Sequence, residues 1–159
     1  MKTHIIRRAL LALGICSALN MQAQAPHPER LYLSGTGTDY TRTWEFYCSK
    51  GQNSGKWKSI EVPSCWELQG FGEYTYGRYY TIKGAKPSDE TGIYRYRFLT
   101  PDCGKTDRVK LFFDGVMTDA EVWVNGKSAG QIHQGAFYRF SYDITSLLKA
   151  EGENLLEVK

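Results

Sequence analysis

The sequence predicts an all-β fold, a jelly-roll β-sandwich preceded by a signal peptide, and three observations carry that prediction. Trp, Tyr and Phe number 4, 11 and 7 among 159 residues, alongside 16 Gly and 5 Pro, a mixture that favours strands joined by tight turns. From residue 92 onward, short apolar–polar alternations recur at even spacing, each bounded by Gly, Asp or Asn. One stretch alone, Asp143 to Lys149, reads as a helical turn.

Residues 1–25 divide as an export signal does: a basic start through Arg8, an apolar run from Ala9 to Leu19, then a polar stretch ending Ala23-Gln24-Ala25. The apolar run is too short for the roughly 20 residues that a membrane-spanning helix needs, so no membrane span is expected. Cleavage follows Ala25 or Ala23, and the mature protein is expected to be periplasmic or secreted. Cys16 does not suit a lipoprotein signal, because the bulky Ile15 precedes it. The leader also explains the net charge of +3. Its Lys2, Arg7 and Arg8 face no acid, and subtracting them from the 20 basic residues leaves 17 against 17 acidic ones. A neutral domain lacks the basic excess that phosphate backbones require, which excludes nucleic acid as a partner.

Beyond the leader stand Cys48, Cys65 and Cys103, an odd number at spacings that match no zinc or disulfide framework. At most one intrachain bridge can form; buried thiols acting as small apolar residues are the simpler reading. His27 and His133 have no partners at ligand spacing, so neither a metal nor a cofactor is expected.

The elements of the domain follow in order. Residues 26–43 form an N-terminal extension, and 44–159 the jelly roll. Ser64-x-x-Glu67 fits a capping box. Gly70 to Tyr80 packs aromatics and glycines together and suits a functional or interdomain loop. In Gly92 to Phe98, Tyr94, Tyr96 and Phe98 take one face, while Arg95 and Arg97 form a solvated one. Val109, Leu111 and Phe113 alternate up to the Asp114-Gly115 turn. Ala120 to Val124 then runs into Asn125-Gly126, whose tolerance of positive φ marks a type I′ hairpin. The return strand covers Lys127 to His133, and another covers Phe137 to Tyr142. Asp143 caps the helical turn by accepting amide hydrogens. A last strand begins at Asn154 and the sequence stops at Lys159. Such an ending suggests a domain truncated at its C-terminal end, with an unpaired edge prone to aggregate.

Four segments resemble the N-terminal sugar-binding domain of glycoside hydrolase family 2. They are Val62-Pro63-Ser64-Cys65-Trp66-Glu67-Leu68-Gln69-Gly70, Gly92 to Phe98, Phe113-Asp114-Gly115-Val116 with Ala120 to Lys127, and His133-Gln134-Gly135-Ala136-Phe137-Tyr138-Arg139-Phe140 running on to Asp143-Ile144-Thr145 and Gly152-Glu153-Asn154. The resemblance implies a galactose-binding-domain-like jelly roll at the front of an exported glycosidase. Downstream immunoglobulin-like and TIM-barrel domains would follow in the same polypeptide. It implies a retaining reaction, in which one carboxylate attacks the sugar and another protonates the leaving oxygen. Both lie in the barrel, so this chain carries no catalytic residue. A β-galactosidase is the first expectation; β-glucuronidase and β-mannosidase are alternatives within the family. A stand-alone carbohydrate-binding module and an adhesion-like sandwich are alternatives without catalysis.

The resemblance places Asp114, Met117, Thr118, Asp119 and His133 as candidates for a rim over the substrate. Many β-galactosidases of the family carry Asn where Met117 stands, which loosens the galactoside assignment. Asp114 also suits plain turn chemistry, and His133 a structural hydrogen bond. Among the aromatics, Trp66, Tyr74 and Tyr76 are candidates to stack on a glycan or to meet a neighbouring domain. Trp44, Trp57, Tyr79 and Tyr80 share that reading, against the plainer one that such rings fill a core.

Overall fold

A computed structural model of the chain describes residues 29–73, 83–84, 89–102, 104 and 107–159. Two units are distinguished, Met1–Arg30 and Leu31–Lys159. The expected signal 1–25, along with Tyr74, Tyr76, Tyr79, Tyr80 and Cys103, lies outside the described residues.

Leu31–Lys159 is all-β. Its strands are β1 (Arg42–Cys48), β2 (Trp57–Val62), β3 (Gly92–Leu99), β4 (Lys110–Phe113), β5 (Asp119–Ala120), β6 (Val122–Val124), β7 (Lys127–Ser128), β8 (His133–Gln134), β9 (Phe140–Asp143) and β10 (Glu153–Val158). Among the described residues, helix is confined to two 3-10 turns, Glu67–Gln69 and Thr145–Leu147. An antiparallel sheet of six strands runs β2-β1-β3-β10-β6-β7, and two ribbons, β4-β9 and β5-β8, complete the unit.

Strand alternation sets which face is buried. Trp44, Phe46 and Cys48 of β1 turn inward, as do Phe98 of β3, Val122 and Val124 of β6, and Leu156 and Val158 of β10. Leu111, Phe113 and Tyr142 of the β4-β9 ribbon pack against this same cluster, so the ribbon forms a second layer over the sheet. Phe46 is the hub: Phe71 meets it edge-on at 4.9 Å, Tyr94 lies at 4.5 Å and Trp66 at 5.4 Å. Gly92 makes room for that cluster, because a Cβ there would sit 2.0 Å from the Trp66 ring.

The Asn125-Gly126 hairpin forms as expected. Asn125 has φ 53° and Gly126 φ 76°, and Val124 pairs with Lys127. Several other expectations are corrected. The last strand is not an unpaired edge: β10 lies between β3 and β6 and bonds to both. Ala120 to Val124 is not one strand, since β5 pairs with β8 while β6 pairs with β10. Glu121, at the break, exchanges two 2.9 Å backbone bonds with Lys159. The return strand ends at Ser128, beyond which Gly130 passes under Tyr142, with room for no Cβ between them. Val109 stays out of the β4 ladder; its amide donates to Thr145 Oγ1 at 2.9 Å instead.

Asp143 does accept the Thr145 amide, at 3.1 Å, but the helical turn shrinks to Thr145–Leu147. The capping box is absent. Ser64 donates to the Glu61 carbonyl, Glu67 accepts from the Cys65 thiol at 2.8 Å, and no side chain caps the Glu67–Gln69 turn. Arg95 and Arg97 are not merely solvated: they pair with Glu157 at 2.8 Å and Glu153 at 3.1 Å.

Candidate functional site

The two ribbons decide which loops meet. Phe113 pairs with Phe140 across β4-β9, and Asp119 pairs with Gln134 across β5-β8. The connections 114–118 and 135–139 therefore leave the same pair of ladders and lie side by side. Three contacts tie them together. Arg139 donates to Asp114 from Nε at 2.8 Å and sits 2.7 Å from it through its terminal nitrogen. The Gly135 amide donates to the Thr118 carbonyl at 2.9 Å. Gly115 lets the backbones close up, since a Cβ there would lie 2.9 Å from the Ala136 carbonyl oxygen.

Four of the five rim candidates, Asp114, Met117, Thr118 and Asp119, are exposed on the first loop and its exit into β5. His133 lies beneath them, half-buried, its ring stacked on Phe140 at 3.8 Å and its Nε2 donating to the Gly135 carbonyl at 3.0 Å. Phe140 in turn stacks on Phe113 at 4.7 Å. This column supports the rim and leaves His133 a structural contact of its own. Met117 on one loop, with Phe137 and Tyr138 on the other, turns a large apolar surface to solvent, Phe137 being 86% exposed. Phe137 and Tyr138, expected in a strand, lie instead in the loop before β9. Two adjacent large aromatics must point to opposite faces of a strand, and that conflict, just after Gly135, was the available signal for a loop.

The aromatic candidates separate. Trp44 is buried and donates to the Leu33 carbonyl at 3.1 Å. Trp66 is half-buried against Phe46 and Tyr94, with its Nε1 buried and, among the described residues, without an acceptor. Trp57 is exposed on the opposite face of the sheet, beneath the Arg95 guanidinium at 4.0 Å.

Two carboxyls are stabilised as anions, whereas the shifted thiols and phenols are pushed the other way. Hydroxyls of Thr41 and Thr43, each 2.7 Å away, hold the Glu61 carboxyl below its usual range. The Thr145 hydroxyl and amide, then Arg108, hold Asp143 down to about 2. Burial pushes the Tyr94 phenol far up. The Glu67 carboxylate raises the Cys65 thiol, and burial raises that of Cys48. A general acid for glycoside cleavage needs a raised carboxyl; Glu61 and Asp143 move the other way.

Residues 39–159 match the model of the family described as glycosyl hydrolases family 2, sugar binding domain. A β-galactosidase of Vibrio cholerae is 34% identical over 105 residues, which cover 63% of this chain and 10% of that protein. A β-galactosidase of Bacteroides ovatus is 31% identical over 132 residues, covering 77% of this chain and 15% of that protein. Among solved structures, the β-glucuronidase of Faecalibacterium prausnitzii superposes with a TM-score of 0.56 at 25% identity, covering 84% of this chain and 22% of that one. The chain thus spans 10% and 15% of the length of these two curated relatives.

Proposed function

The chain belongs to glycosyl hydrolase family 2 through its sugar-binding domain, and from that premise we propose that it is a non-catalytic jelly-roll domain of a longer, exported retaining glycosidase acting on β-galactosides. The observation that carries the reading is the family match over 39–159 in a chain that spans so little of its β-galactosidase relatives. Catalysis then belongs to other parts of the same polypeptide, and this domain's contribution is to shape access to the sugar.

The joined loops supply a means. Asp114 and Arg139 offer an acceptor and a donor already oriented by one another, and Met117, Phe137 and Tyr138 form an apolar edge. Apolar surface this open is unusual on a solvated domain and suits a covered position, against a second domain or the face of a pyranose ring. Met117 cannot hydrogen-bond a hydroxyl as Asn does, so its share in sugar recognition is contact with C–H groups.

The test is kinetic, in the full-length protein with aryl β-galactoside as substrate. Met117→Ala and Arg139→Ala should raise KM several-fold while unfolding stability changes by no more than about 0.5 kcal/mol, as for exposed positions. An unchanged KM in both variants would remove the rim from substrate binding. Faster turnover of aryl β-glucuronide than of the galactoside would reassign the sugar. Export is read separately, from a mature N-terminus following Ala23 or Ala25.

A further inference from the structure

The face of the six-stranded sheet turned away from the core carries a row of side chains fixed by register. Glu45 pairs with Arg95, Arg95 with Glu157, Glu157 with Trp123, and Trp123 with Ser128. Inward neighbours such as Val124 and Leu156 show that this row faces outward. Within it lies an open hollow of about 330 Å³, lined by Ile93, Trp123, Gly126, Glu157 and Lys159. None of the rim residues Asp114, Met117, Thr118, Asp119 or His133 lines it.

We propose that this hollow is a binding subsite for one neutral hexopyranose unit. Its size falls at the small end of ligand sites, which run from about 300 Å³ upward, enough for a single sugar ring. The Trp123 indole and the Ile93 side chain give apolar wall for the C–H face of a pyranose, and Gly126 leaves one margin free of side chain. Glu157 accepts and Lys159 donates, which matches the paired demands of sugar hydroxyls. Both polar groups are held in place before any ligand arrives: Arg95 fixes Glu157 at 2.8 Å, and Glu121 fixes Lys159 at 2.9 Å. Preorganisation of this kind lowers the ordering cost of binding.

The local charges choose the sugar class. Glu45, Glu121 and Glu157 stand against Arg95 and Lys159, so the surroundings carry no positive excess for a uronate carboxylate. The site goes beyond the hydrolase reading, because it requires no reaction and uses none of the rim residues.

The experiment follows the indole N–H resonance of Trp123 in the 159-residue chain during titration with methyl β-D-galactopyranoside, methyl β-D-glucopyranoside and D-galacturonate. A saturable shift with either neutral glycoside, and weaker binding of galacturonate, is the expected result. Trp123→Leu keeps apolar bulk at this half-buried position and removes the stacking face. With a well-dispersed spectrum, it should weaken binding at least about tenfold, read from the amides of Ile93 and Glu157. No saturable shift with either neutral sugar, tighter binding of galacturonate, or unchanged affinity in Trp123→Leu would each overturn the proposal. So would a concentration-dependent dimer that buries Trp123 in the absence of sugar. Failure of the hydrolase reading appears in turnover by the full-length protein and leaves this titration unaffected.

Discussion

Asn154 is fully buried, and both ends of its amide are engaged. Its Oδ1 accepts from Asn125 Nδ2 at 2.8 Å and from the Lys149 amide at 2.9 Å, while its Nδ2 donates to Thr100 Oγ1 at 2.9 Å. Asn125 carries the network on, donating to the Leu147 carbonyl at 2.9 Å and accepting from the Leu155 amide at 3.0 Å. Asn125 was legible in the sequence only as a turn former; its second role, as a clasp across the sheet, depends on partners 22 to 30 positions away. Asn154→Ala leaves the Lys149 amide and half of Asn125's donor capacity without their acceptor at a part-buried place. It should destabilise the domain by about 3 kcal/mol, read from urea unfolding at unchanged m-value; a loss under about 1 kcal/mol would mean that water replaces the amide. Gly92 is the other sensitive position. Gly92→Ala drives a methyl into the Trp66 and Phe46 rings. A cost of about 1–3 kcal/mol is expected, together with a red-shifted tryptophan emission as Trp66 is displaced. An unshifted spectrum at unchanged stability would show that the rings yield without cost.

At the scale of elements, alternation in β3 and the Asn125-Gly126 turn were readable because each is local: period-two patterning and positive φ need no distant partner. The breaks after Ala120 and Ser128 were not readable, because they arise where the chain leaves one sheet for another, and only the partner strands define that point. The central place of β10 was hidden for the same reason. The loop candidates were reached through resemblance, whereas their side-by-side placement follows from the pairing of Phe113 with Phe140 and Asp119 with Gln134. Asp143 shows how a local motif acquires an energetic role. It closes β9, accepts from the Thr145 hydroxyl at 2.6 Å and pairs with Arg108 at 2.9 Å. Its carboxyl ionises at about 2 in the fold, against an ordinary value of 3.8. A depressed folded-state value means that the unfolded chain binds the proton more readily as pH falls. The stabilisation is therefore complete above about pH 4 and is lost towards pH 2. Asp143→Asn should lower the urea midpoint at pH 6 and converge on the parent as pH falls through about 2, where the Asp143 carboxyl takes up its proton. A midpoint difference independent of pH would assign the effect to shape and not to charge.

The whole molecule bears on where the chemistry can lie. Retaining hydrolysis needs two carboxyl groups roughly 5–5.5 Å apart beside a sugar pocket, one of them protonated near neutral pH. Several carboxylates of this domain are committed otherwise. Asp114, Asp143, Glu121, Glu153 and Glu157 each hold a basic side chain, and Glu61 is held by two threonine hydroxyls. A carboxylate paired in this way suits binding and orientation, and the two whose ionisation is displaced, Glu61 and Asp143, are held below the usual carboxylate range, away from a general acid. The neutral charge balance readable in the sequence is thus met in part by ion pairs across the strands and between the loops. The purified 159-residue chain is accordingly expected to hydrolyse neither aryl β-galactoside nor aryl β-glucuronide above the uncatalysed rate, with turnover of the galactoside by the full-length protein as the outcome that the proposed function requires. Release of aryl alcohol by the chain alone, persisting after a second purification step, would place a catalytic pair inside the domain. The first variant to make in that event is Glu67→Gln, because Glu67 lies beside the aromatic cluster's Trp66 and, among the described residues, touches a thiol and not a cation.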